Sequence, residues 1–244
     1  MKKILFLMLL IPTIGFAQWQ DVLNKVKDEI TKVTSQTGLG TGTVDIAGGL
    51  KEALQNGVSK QVTKLTATDG FYKNELVKIV LPEELQKVDR TLRKMGMSKL
   101  ANDGIKSLNR AAEDAVKEST PIFVNAITSM SFSDAKSILM GNEVAATDYL
   151  KGSTSSALYV KFSPVIQKSL GKVGADKIWS TIIKKYNAIP LVNKVNPDLT
   201  DYVTNKSMDG VFKMIAVEEK NIRTNFNSRT SETLKKVFAL QDKK

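Results

Sequence analysis

"TDGFYKNELVKIVLPEEL" (residues 68–85) is the one stretch of this 244-residue chain that does not read plainly as helix. Asp69-Gly70 marks a turn, and residues 76–81 (Leu-Val-Lys-Ile-Val-Leu) can run extended. If this were one strand of several, the chain would be α/β. A lone strand has nothing to pair with, and no second candidate exists, so the stretch points to an all-α protein with at most one short strand-like segment. At its end, Pro82 stands where a helix begins, with Glu83 and Glu84 in a first turn whose dipole favours acid. Leu85, Val88, Leu92 and Met95 then form an apolar face, and Gly96 ends it.

Outward from there, helical periodicity dominates. Leu50, Leu54, Val58, Val62 and Leu65 recur at three- and four-residue steps, and Leu100, Ile105, Leu108, Ala112 and Ala115 do the same. "STPIF" at Ser119 and "FSPVI" at Phe162 each put a hydroxyl before a proline, which starts a new helix or kinks an old one. Further helices are expected at 133–140, 143–151, 154–162, 164–172, 175–188, 199–226 and 231–240. Trp179, among isoleucines, reads as core. Short connections after residue 50 favour a single irregular multi-helix domain over 50–244. No fixed-period repeat suggests a solenoid.

The N-terminal end is different. "MKKILFLMLLIPTIGFAQ" has two lysines, a short apolar run, and Gly15 and Ala17 at −3 and −1 of a cut before Gln18, the layout of a signal peptide over 1–17. Its apolar run is shorter than the roughly 20 residues that span a bilayer, so it reads as cleaved, and no later segment is transmembrane. Export to the periplasm, or secretion, is the localisation expected. Residues 18–36 form an amphipathic helix whose face is Trp19, Val22, Leu23, Val26, Ile30 and Val33. "TGLGTGTVDIAGG" (37–49), with five glycines, reads as a linker. That helix either docks on the domain or serves as an arm for a partner.

Composition excludes more chemistry than it suggests. The chain has no histidine and no cysteine. That removes imidazole proton transfer, Ser-His-Asp and Cys-His nucleophiles, His-ligated zinc and thiolate clusters. No calcium-loop spacing and no phosphate-cradling loop are present, so neither a metal nor a cofactor is expected. "SDAK" (133–136) reads as a helix cap at Ser133 rather than a nucleophile. The net charge is +11, and 31 of the 36 basic residues are scattered lysines. Nucleic-acid readers favour arginine, so the excess reads as solubility and attraction to anionic envelope surfaces.

Two constellations stand out. On a helical wheel Met208, Phe212, Ile215, Ile222 and Phe226 share a stripe, with Glu219 inside it and Arg223 one turn later. An i,i+4 Glu–Arg pair pushed into a core reads as a buried bridge holding register. Glu218 falls about 100° to the other side and is expected to face water. In "NRAAEDA", Asn109 and Glu113 flank the Leu108/Ala112 face, and Arg110 points away from it. As structural residues, Asn109 and Glu113 would satisfy polar groups of a neighbouring helix end. If Glu113 and Glu219 met in one cleft, they could serve glycoside hydrolysis. Asp148, Tyr149, Tyr186, Tyr202 and Asp209 read as helix-end or core-edge groups.

Several strings taken together, "GLKEALQNGV", "DGFYKN", "LPEELQKVDRTLRKMG", "NRAAEDAV", "DAKSILMGNEVAATDYL" and "DYVTNKSMDGVFKMIAVEEKNIRTN", resemble a bacterial family of exported proteins known as domain of unknown function 4197. The likeness runs from about residue 49 to 238. It implies an exported helical domain and brings no activity, cofactor or catalytic residue. The function expected is therefore non-catalytic binding of an envelope protein, an anionic envelope component or a small apolar ligand. The alternatives are a carboxylate-dependent hydrolase of an envelope polymer and a self-associating structural envelope protein.

Overall fold

The chain divides into two units, residues 1–44 and 45–244. The computed structural model describes residues 45–242, apart from 95, 173–178, 181–182, 185–186, 189, 192–193 and 195–197, and apart from the side chains of 84, 91 and 92. The signal peptide, the amphipathic helix at 18–36 and most of the linker lie outside the described residues.

Among the described residues there is no strand, and the fold is all-α. The helices are α1 (Ile46–Thr66), α2 (Glu83–Lys94), α3 (Ser98–Val116), α4 (Ser119–Thr128), α5 (Phe132–Leu139), α6 (Ala145–Lys172), α7 (Thr200–Thr224) and α8 (Glu232–Phe238), with a 3₁₀ turn at Phe226–Ser228. The two longest, α6 and α7, pack on each other. α3 lies against both, α4 covers α6, and α1 closes the other side of α7. Phe123 of α4 meets Phe212 of α7 edge to face at 6.1 Å.

α1 begins four residues before Leu50, inside the stretch expected to be linker. Asp45 caps it, accepting from the Gly48 N–H at 2.9 Å. Gly49 is a packing residue here: a Cβ on it would lie 2.4 Å from Cγ2 of Val237 in α8. Leu50, Leu54, Val58, Val62 and Leu65 are all buried, as their spacing requires.

The "FSPVI" proline does not break the chain. α6 runs unbroken through Gly152 and Pro164 for 28 residues, where three separate helices were expected. Both residues face solvent, so water can take the carbonyl bond that Pro164 forgoes. The buried positions Leu150, Thr154, Leu158, Phe162, Ile166 and Leu170 continue past them in steps of four. "STPIF" does open a helix, but Ser119 is not its cap; its hydroxyl donates to the Val116 carbonyl at 2.7 Å. α5 is capped by Ser131, not Ser133, through a reciprocal box with Asp134. Gly96 ends the α2 region with φ +78°. Leu100 is partly exposed rather than on the buried face, and Phe226 lies in the 3₁₀ turn, also exposed. Trp179 is buried.

The opening stretch is folded tightly without being regular. Asp69 takes φ +69°. Gly70 passes under the end of α1, where a Cβ would sit 2.3 Å from the Lys64 carbonyl oxygen. Phe71 is fully buried against Gly210 of α7, whose missing Cβ leaves room for the ring. Val77, Ile79 and Leu81 then point inward, while Leu76 and Val80 are about half exposed, at 50% and 51%.

Candidate functional site

α7 carries most of the buried charge. Glu219 and Arg223 are both buried, with Arg223 Nε and Nη2 donating to Glu219 Oε1 at 2.9 and 2.8 Å. The pair does more than bridge one helix to itself. Glu219 Oε1 also accepts from the Ala146 N–H at 2.9 Å. Its Oε2 accepts from the Thr147 N–H and hydroxyl, each at 2.8 Å. These N–H groups belong to the first turn of α6, which has no partners of its own there. Arg223 donates to the Ile138 and Leu139 carbonyls at 2.8 and 3.2 Å, at the end of α5, and to Gln241 Oε1 at 3.0 Å. An acid thus sits on a helix start and a base on a helix end, each where the dipole favours it. The pair is the joint between α5 and α6.

Glu218 is buried, not wet. It accepts from Lys60 Nζ at 2.6 Å and from Gln61 Nε2 at 2.7 Å, both on α1. The expectation failed because α1 covers that flank, with Gly57 letting the Glu218 stem approach. Arg229, which the sequence did not single out, closes the C-terminal end of α7. It donates to the Ile222 and Arg223 carbonyls at 3.1 and 3.0 Å and pairs with Asp242. That guanidinium holds the Asp242 carboxyl below the usual carboxylate range.

The second constellation serves the opening stretch. Asn109, fully buried, accepts from the Ile79 N–H and donates to the Ile79 carbonyl, both at 2.8 Å. Its side chain supplies the pairing that a second strand would have given. Glu113 accepts from the N–H groups of Phe71 and Tyr72 at 3.1 and 3.4 Å and from Arg110. Arg110, far from idle, also bonds Asp69, whose carboxyl is held below its ordinary range by Lys73 first and then by Arg110. The polar groups satisfied are those of a loop rather than a helix end. Asn109/Glu113 and Glu219/Arg223 form two separate clusters with no hydrogen bond or ion pair between them among the described residues.

Two spaces are relevant. The gap beside Glu218, Glu219 and Arg223, closed by Leu50, Leu54 and Phe238, holds about 20 Å³, room for one water. The other is an open groove of about 720 Å³ between residues 76–83 and α7. Leu76, Val80, Lys78, Tyr202, Lys206 and Lys213 line it. Tyr202 spans its floor, donating to the Val80 carbonyl at 2.7 Å. No group of three or more acidic residues among the described ones is arranged to hold a metal ion.

A family model described as "Protein of unknown function (DUF4197)" matches residues 40–239. The chain belongs to this family. No curated protein and no solved structure matches it. The strings that carry the DUF4197 likeness are also the ones that interlock. "DGFYKN" supplies the turn that Glu113 and Gly210 receive, "NRAAEDAV" the residues that hold it, and "GNEVAATDYL" the helix start that Glu219 caps. The signal for that remote cap was present in the sequence: Val144 precedes α6 where a Ser, Thr, Asp or Asn would cap it locally.

Proposed function

We propose that the DUF4197 domain works by binding and not by catalysis, and that its ligand sits in the groove between residues 76–83 and α7. The carrying observation is that groove: about 720 Å³, within the range of ligand sites, with half-exposed Leu76 and Val80 on a backbone anchored by buried neighbours. The buried carboxylates support the same reading. Glu113, Glu218 and Glu219 spend their oxygens on backbone N–H groups, lysine, glutamine and arginine, which leaves none of these three buried acids free to hand a proton to a substrate. The 20 Å³ gap between helices is too small for a lipid or other apolar ligand.

The setting that fits is the cell envelope, reached after cleavage before Gln18, as the lysine–apolar–small-residue order of the first residues supports. No described helix is long and apolar enough to cross a membrane. Intact-mass measurement of the envelope fraction tests the cleavage; a mass that includes Met1 rejects it. Native mass spectrometry of the protein from its own source tests the groove. A bound species present in the natural chain and absent from Val80→Asp, with an unchanged melting curve, is the expected result. An identical bound species in both, or none in either, rejects the proposal.

A further inference from the structure

We propose that the groove's occupant is an acidic polypeptide segment in extended form, pairing with the backbone of Lys78 and Val80. The inference rests on the groove being the binding seat and goes on to name what fills it.

The backbone carries the argument. One side-chain amide, that of Asn109, takes both the N–H and the C=O of Ile79. It can do so only if those groups point the same way, as they do in an extended chain. The N–H and C=O groups of the flanking residues then point to the opposite edge. Val80 confirms the direction, since its carbonyl reaches Tyr202 of α7. On that edge, among the described residues, the Lys78 carbonyl and the Val80 N–H have no hydrogen-bond partner. They are spaced as one residue of a parallel strand requires, its N–H donating to Lys78 and its C=O accepting from Val80. An unpaired edge of this kind recruits an added strand. Pro82, with no N–H, stops the pairing and so fixes its register.

The side chains set the chemistry. Leu76 and Val80 offer an apolar contact about half exposed, one on each side of Lys78. Three ammonium groups line the groove, on Lys78, Lys206 and Lys213, against the carboxylates of Glu83 and Asp209. Asp209 lies 3.8 Å from Lys206, so one acid is already partly answered. The excess is positive within a chain of net charge +11, and it favours an acidic strand over a basic one.

The test pans a phage-displayed library of random nine-residue peptides against the full chain. Selected peptides are then titrated by fluorescence anisotropy and by amide chemical shifts. Enriched peptides are expected to be net acidic and to shift amides in residues 78–81 and on α7 near Tyr202. N-methylation at one peptide residue should weaken binding about tenfold, the equivalent of the one donor lost to the Lys78 carbonyl, while the adjacent position tolerates it. Lys206→Glu with Lys213→Glu should weaken binding by a similar factor; both side chains are on the surface, so the fold is retained. Neutral or basic winners, a flat N-methyl scan, or no winner at all overturns the strand proposal. Phosphatidylglycerol vesicles are the contrast. If they alone shift the groove amides, the groove stands as the seat and the peptide is rejected in favour of a lipid surface. If no probe shifts those amides, the groove reading itself falls.

Discussion

Glu219 accepts five hydrogen bonds through two oxygens, and every donor is fixed by another part of the chain. Glutamine fits poorly there, because its NH₂ would face an N–H or a guanidinium. Glu219→Gln and Arg223→Ala are each expected to lose about 3–5 kcal/mol, read from urea unfolding, since each strands a buried partner. Removing both together should cost well under the sum, the mark of residues acting as a unit. Additive losses would separate the two. The i,i+4 pairing and its burial were legible in the sequence because helical spacing alone fixes both. The partners at 138–147 were not, because a chain that returns more than seventy residues away leaves no local trace beyond an uncapped helix start.

Glycines divide sharply at the scale of the helix. Gly152 faces open space, so Gly152→Ala should stabilise α6 by about 0.5–1 kcal/mol. In Gly210→Ala the new Cβ would lie 2.7 Å from the Phe71 ring, and α7 should lose about 1–3 kcal/mol to overpacking. Thermal melting of the two variants gives shifts of opposite sign. Shifts of the same sign would show that Phe71 is not seated as described. Sequence reading erred at such places for one physical reason. Pro164 and Gly152 lower intrinsic propensity, but the apolar steps of four on the buried face continue past both, and packing overrides propensity. Glu218 misled in the opposite sense, because the flank of α7 that it occupies is covered by Lys60 and Gln61 of α1. The α1 face at Leu50, Leu54, Val58, Val62 and Leu65 was readable because its apolar residues recur at three- and four-residue steps, and all five are buried.

For the molecule as a whole, the C-terminal residues act as a clasp, with Gln241 on Arg223 and Asp242 on Arg229. The folded pKa of Asp242 is depressed by its Arg229 bond, so its contribution is present above the unfolded carboxylate value, near 4, and lost as pH falls through the folded one. Asp242→Asn should therefore melt below the natural chain at pH 7, with the difference shrinking as pH falls below the ordinary carboxylate range; a difference constant with pH would remove the clasp. The all-α class and the run of helices were legible from periodicity. The groove was not, since it depends on α7 passing beside residues 76–83 and on Asn109 standing in for a strand. The central claim is that the buried acid and base of α7 hold the α5–α6 joint. Amide hydrogen exchange at Ala146 and Thr147 tests it most directly, because N–H groups in a helix's first turn are ordinarily unprotected. Protection approaching that of the core, lost in Glu219→Gln, is the predicted result; rapid exchange of both amides in the natural chain would contradict it.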